Sequence, residues 1–84
     1  MIEPGRLCIK IAGREAGRVC VVVKEIDDKF VLIDGFVKRR RCNRKHLEPL
    51  PYKINVKEDE SSETIREKIL KITKGRKVLR EFGR

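Results

Sequence analysis

Eighty-four residues make one small domain with at most a short tail. A chain this size buries only about 60–65% of its unfolded surface, which leaves no room for a deep cleft between lobes. Lysine and arginine number 22 against 13 aspartate and glutamate, a formal net charge of +9 that favours a polyanionic partner, nucleic acid ahead of an anionic membrane surface. The longest apolar run, residues 19–23, is far short of the roughly 20 a spanning helix needs, and the first ten residues, with Glu3 and Pro4, lack a signal-peptide core; a soluble, intracellular protein with no membrane partner is expected.

Residues 6–11 alternate, with Leu7, Ile9 and Ile11 on one face and Arg6, Cys8 and Lys10 on the other, the period of a half-buried strand. Gly13 and Gly17 bracket a tight connection to a second strand over 18–26, where Val19, Val21 and Val23 share a face. A turn at residues 27–29 leads to a third strand over 30–33, and Asp34-Gly35 is a further turn signal. A fourth strand is expected over 36–43, a break in pairing around Leu47, Pro49, Leu50 and Pro51, and a fifth strand over 52–56 with Tyr52, Ile54 and Val56 on one face. Five short strands joined by turns predict a mainly β fold, a small, strongly curved barrel over residues 1–56.

Composition shifts at Lys57, and residues 57–84 read as a C-terminal helical extension. Acids and hydroxyls open a helix, residues 64–67 fit a capping box, and Ile65, Ile69 and Ile72 recur at helical spacing as a stripe that either docks on the barrel, the favoured reading, or belongs to a helix ordered only by a partner. Bases toward its end suit the helix dipole, and Gly75 suits its stop. Residues 76–84 are either a second short helix on Val78, Leu79 and Phe82 or disordered.

The densest chemistry lies in residues 38–45. Lys38, Arg39, Arg40, Arg41, Arg44 and Lys45 are basic, Cys42 and Asn43 separate them, and His46 follows. On an extended strand Arg39 and Arg41 share one face and Lys38 and Arg40 the other, with Cys42 inward and Arg40 at the rim. Crowded like charges suit phosphates, which arginine meets with two hydrogen bonds; the plain alternative is a solvated edge strand. A second candidate is the loop holding Gly13, Arg14, Gly17 and Arg18. Its glycines either admit a nucleic-acid backbone or serve turn geometry alone, and it has neither Walker nor dinucleotide spacing. Aromatics are scarce: Phe30 and Tyr52 read as core and Phe36 as the most exposed, so recognition leans on backbone and shape rather than base stacking. His46 lacks a nucleophile system, and Cys8, Cys20 and Cys42 have no metal-ligand spacing; they read as reduced, buried thiols. No catalytic residue, metal or cofactor is expected.

Residues 5–35, alternating apolar positions around Gly17, resemble a KOW motif. The continuation through residues 31–35, 37–43 and 45–49 resembles the archaeal and eukaryotic family of large-subunit ribosomal protein fourteen, and the resemblance covers roughly residues 1–50. One departure is Arg44, where an apolar residue is expected before Lys45, His46 and Leu47. The chain length resembles the short archaeal version. The resemblance implies an SH3-like barrel seated on large-subunit ribosomal RNA, beside neighbouring ribosomal proteins in a cytoplasmic ribosome and monomeric off it. RNA contacts are then implied at Gly13, Arg14, Gly17, Arg18, Lys38, Arg39, Arg40, Arg41, Asn43, Arg44, Lys45 and His46. The alternative is a transcription-associated KOW module that binds protein or nascent RNA. A nucleic-acid-modifying enzyme is disfavoured by the missing catalytic constellation.

Overall fold

Short β-branched runs between glycine turns build one antiparallel sheet. Its strands are β1 (Arg6–Lys10), β2 (Val19–Glu25), β3 (Phe30–Gly35), β4 (Arg40–Asn43) and β5 (Leu47–Lys53), ordered β4-β3-β2-β1-β5, with α1 (Ser62–Thr73) after them. This computed structural model describes residues 2–73. In the central pairing Leu7 faces Val21, Cys8 faces Cys20 and Ile9 faces Val19. Register shifts in the β2–β3 and β1–β5 pairings mark bulges, which sharpen sheet twist. The result fits an SH3-like barrel of the KOW type.

Alternation along the strands creates two cores. Cys8, Cys20, Val22, Val31, Ile33, Val37, Cys42 and Leu47 pack together on the inner face. Leu7, Ile9, Val19, Val21 and Val23 point the other way and are covered by Ile65 and Ile69 of α1, with Ile72 at the margin. β1 is therefore buried on both faces rather than one, because a helix covers what would otherwise face water. Ile11, expected beside Leu7 and Ile9, lies beyond the strand end and is exposed. Full burial of Ile65 and Ile69 is worth about 1.5–3 kcal/mol each before ordering costs, enough to hold a helix of three turns that would be marginal alone.

Two strands differ from expectation. β5 begins at Leu47 and runs through both prolines, while Ile54 and Val56 pack against the outer core beyond its end. Prolines are tolerated because, among the described residues, β5 has a neighbouring strand on one side only. β4 begins only at Arg40, because the chain bends over 36–39 after Gly35, whose φ is +122°. Gly35 is required there: a Cβ would lie 2.9 Å from Ile69 Cδ1 and 3.3 Å from Cys20 Cα. The helix cap is Ser61, not a box at 64–67. Its Oγ accepts from the Thr64 N–H at 3.2 Å and its carbonyl from the Ile65 N–H at 3.1 Å. Gly75 and the stretch 76–84 lie outside the described residues.

Candidate nucleic-acid interface

The β1–β2 connection is closed by backbone hydrogen bonds. Gly17 N–H donates to the Lys10 carbonyl at 2.6 Å and Ala16 N–H to the Gly13 carbonyl at 3.2 Å. Gly13 and Gly17 have φ of +88° and +91°, so backbone geometry is itself a sufficient reason for glycine at both. Lys10 is buried and its ammonium donates to the Ala12 carbonyl at 2.9 Å, which answers the cost of burying it.

This loop meets the start of the basic run through one acid. Glu15 Oε2 accepts from the Lys38 backbone N–H at 2.7 Å, and Oε1 lies 3.7 Å from the Arg40 guanidinium. Two open depressions flank that contact and share Glu15 and Lys38. One, of about 430 Å³, is completed by Arg14 and Arg40. The other, of about 350 Å³, adds Arg18 and Arg66 against the backbone of residues 35–37. Arg18 donates to the Phe36 carbonyl at 3.4 Å and Arg66 to the Gly35 carbonyl at 3.2 Å, so both guanidiniums are tethered at the rim. The two segments singled out in the sequence, about 20 residues apart in the chain, thus form one basic concave surface.

Not every residue of the basic run faces outward. Lys38, Arg40, Arg41, Lys45 and His46 are exposed. Arg41 lies over the half-buried Phe30 ring, 4.5 Å from its centroid, a cation–π contact that orders the side chain. Arg39 turns inward: it pairs with Asp34 at 3.0 Å and donates to the carbonyls of Glu58 and Glu60. Asn43 accepts from the Lys45 N–H at 2.9 Å and so caps a single 3₁₀ turn, Arg44–His46. Phe36 is half-buried against the outer core instead of exposed, and Tyr52 sits at the same margin. The structure brings together Arg14, Arg18, Lys38 and Arg40; Arg41, Lys45 and His46 continue along β4 and the turn after it.

The chain matches no family model. Among curated proteins it is 54% identical over 65 residues to large ribosomal subunit protein eL14 of Methanococcus maripaludis, covering 77% of this chain and 84% of that one. It is 56% identical over 70 residues to the eL14 of Hyperthermus butylicus (77% and 71% covered) and 52% identical over 73 to that of Saccharolobus islandicus (81% and 76%). The chain belongs to the eL14 family.

Arg44 has a structural explanation. Its guanidinium donates to the Ile2 carbonyl at 2.8 Å, the Asp27 carbonyl at 3.2 Å and the Glu25 carboxylate at 3.0 Å, which ties the N-terminal segment and the β2–β3 turn to the exit of β4. Asp27 in that turn accepts from the N–H groups of Lys29 and Phe30, bonds that lower its pKa. Burial pushes the Cys8 thiol up to about 12 and raises Cys20 and Cys42, so the three free thiols of the inner core stay protonated near neutrality. Among the described residues no group of three His, Cys, Asp or Glu is placed to hold a metal ion, and no helix is long and apolar enough to cross a membrane.

Three residues at or beside this surface are not legible in the sequence. Arg66 comes from α1, and only the docked helix puts it beside Gly35. Glu15 looks like an ordinary loop acid until Lys38 is placed next to it. Asp34 reads as a turn residue, yet it is fully buried; the one hint is that it directly follows the apolar run 31–33.

Proposed function

We propose that this chain is a structural constituent of the large ribosomal subunit and that it binds ribosomal RNA through the basic surface built by the β1–β2 loop, β4 and the turn after β4. Family membership carries the ribosomal part: the eL14 relatives are named large-subunit proteins, and they match most of the chain. The RNA part is supported by the convergence of Arg14, Arg18, Lys38 and Arg40 around two depressions, with Arg41, Lys45 and His46 extending the surface. Guanidiniums held at a rim by carbonyl contacts arrive preorganised for phosphate oxygens. Gly13 and Gly17 set the loop's path, and Arg39, Asn43 and Arg44 hold the backbone that presents the exposed bases. Few aromatics are exposed, so the surface reads phosphate positions and RNA shape. The role is neutralisation and fixing of local RNA structure, with no chemical step, beside neighbouring ribosomal proteins in a cytoplasmic ribosome.

Cosedimentation tests this reading. The full chain should travel with large subunits at moderate salt and be released as salt rises. Recovery in RNA-polymerase fractions with none in large subunits overturns it in favour of a transcription-associated module.

A further inference from the structure

A carboxylate at the centre of a phosphate-binding surface is a puzzle. Glu15 lines both depressions, and among the five bases that line them its charge offsets part of the attraction for RNA. Its geometry explains its presence. One oxygen accepts the Lys38 N–H at 2.7 Å, just where the chain leaves the 36–37 bend and turns toward β4. The other is buried, has no hydrogen-bond partner, and faces the Arg40 guanidinium at 3.7 Å. Among the described residues no other side chain bonds the Lys38 backbone. The β1–β2 loop and the segment before β4 are otherwise joined at this end by Arg18 on the Phe36 carbonyl and Phe36 N–H on the Val19 carbonyl.

We infer that Glu15 is a positioning residue for RNA binding: it clamps the Lys38 backbone so that the two depressions keep their shape, and it holds Arg40 by charge until RNA phosphate takes over that guanidinium. This rests on the function proposed above and assigns a device within the same surface. Clamp and charge act in opposite directions on affinity. The clamp needs only an acceptor oxygen, which an amide also supplies, whereas the opposition to phosphate needs the negative charge.

Glu15→Gln and Glu15→Ala separate the two. Both remove the same charge, and only glutamine keeps an acceptor for the Lys38 N–H. With transcribed large-subunit rRNA of Methanococcus maripaludis as probe, E15Q should bind about fivefold more tightly than wild type at 0.1 M salt, a contact-range charge effect of about 1 kcal/mol. E15A should bind about threefold more weakly than E15Q or worse, because the loops lose their register. Amide exchange in the free protein gives a readout that needs no RNA: the Lys38 N–H should stay protected in E15Q and exchange faster in E15A, with unchanged protection in β1 and β2. Variants that bind equally well while wild type binds overturn the inference alone, as does equal Lys38 protection in both. A wild-type chain that binds no RNA overturns the proposed function, and this inference with it.

Discussion

Arg39 sets its guanidinium 3.0 Å from the carboxylate of Asp34, a side chain with no exposure to solvent. The same carboxylate accepts from the Gly35 N–H at 2.7 Å and from Ser62 Oγ at 2.9 Å, at the first turn of α1. Arg39 goes on to the carbonyls of Glu58 and Glu60. The pair therefore joins the end of β3, the bend before β4 and the segment leading into the helix.

Breaking a buried pair on one side strands the other charge, at about 3–5 kcal/mol. Arg39→Ala should lose stability toward the lower end of that range, since the arginine is partly solvated, and Asp34→Ala should lose more. Lysine at position 39 should rescue only part of the loss, because an ammonium cannot reproduce the fork to two carbonyls. Urea denaturation followed by circular dichroism measures all three. Losses under about 1 kcal/mol would show that the pair is incidental.

The exposed arginines should behave in the opposite way. Arg40→Ala and Arg41→Ala should leave the free energy of unfolding within about 1 kcal/mol of wild type. Each should lower the log–log salt slope of rRNA binding by about 0.7–0.9. Arg39→Ala, assayed where it remains folded, should leave that slope nearly unchanged. Filter binding from low to moderate salt separates the three, and equal slopes throughout would mean that residues 40–41 serve as a solvated edge.

That contrast shows where sequence reading stopped. The alternation of Leu7 and Ile9 marks β1, that of Val19, Val21 and Val23 marks β2, and the spacing of Ile65, Ile69 and Ile72 marks α1, because these signals are local. Six bases in eight residues marked the surface. What stayed hidden was long-range: that Arg39 folds back onto Asp34, that Arg66 arrives from the helix, that Glu15 touches Lys38. The start of β5 is not legible because proline reads as a breaker until its strand is known to lie at an edge. The start of β4 at Arg40 is not legible either, because a run of arginines carries no mark of where a bend ends.

Gly35→Ala should cost about 1–3 kcal/mol in backbone strain alone, with further loss from the close approach to Ile69. Helix docking should suffer first, so the 222 nm signal should soften at temperatures where the sheet signal persists. Gly35→Ala melting in one transition at the wild-type temperature would contradict the packing argument.

Acid should weaken the fold between about pH 4.5 and 2. Glu3, hydrogen-bonded to Arg6, has its pKa lowered from 4.5 to about 2, and Glu60, hydrogen-bonded to Lys68, is lowered as well. A carboxylate whose pKa is lowered in the folded state contributes stability above its unfolded pKa, and that contribution is lost as pH falls through the folded value. Glu3→Gln should flatten the dependence of melting temperature on pH in that window and leave it unchanged above pH 6. A profile as steep as wild type would remove Glu3 from the account.

Among the described residues, the two strands without a second neighbour are β4 and β5. One carries Arg40 and Arg41, and the other carries Pro49 and Pro51. Charge on the first edge and missing donors on the second make both poor templates for a further strand. A freshly synthesised copy is thereby discouraged from stacking into fibrillar aggregates with its siblings, and under the proposed function the arginines that guard the edge in the free chain are the ones RNA would cover.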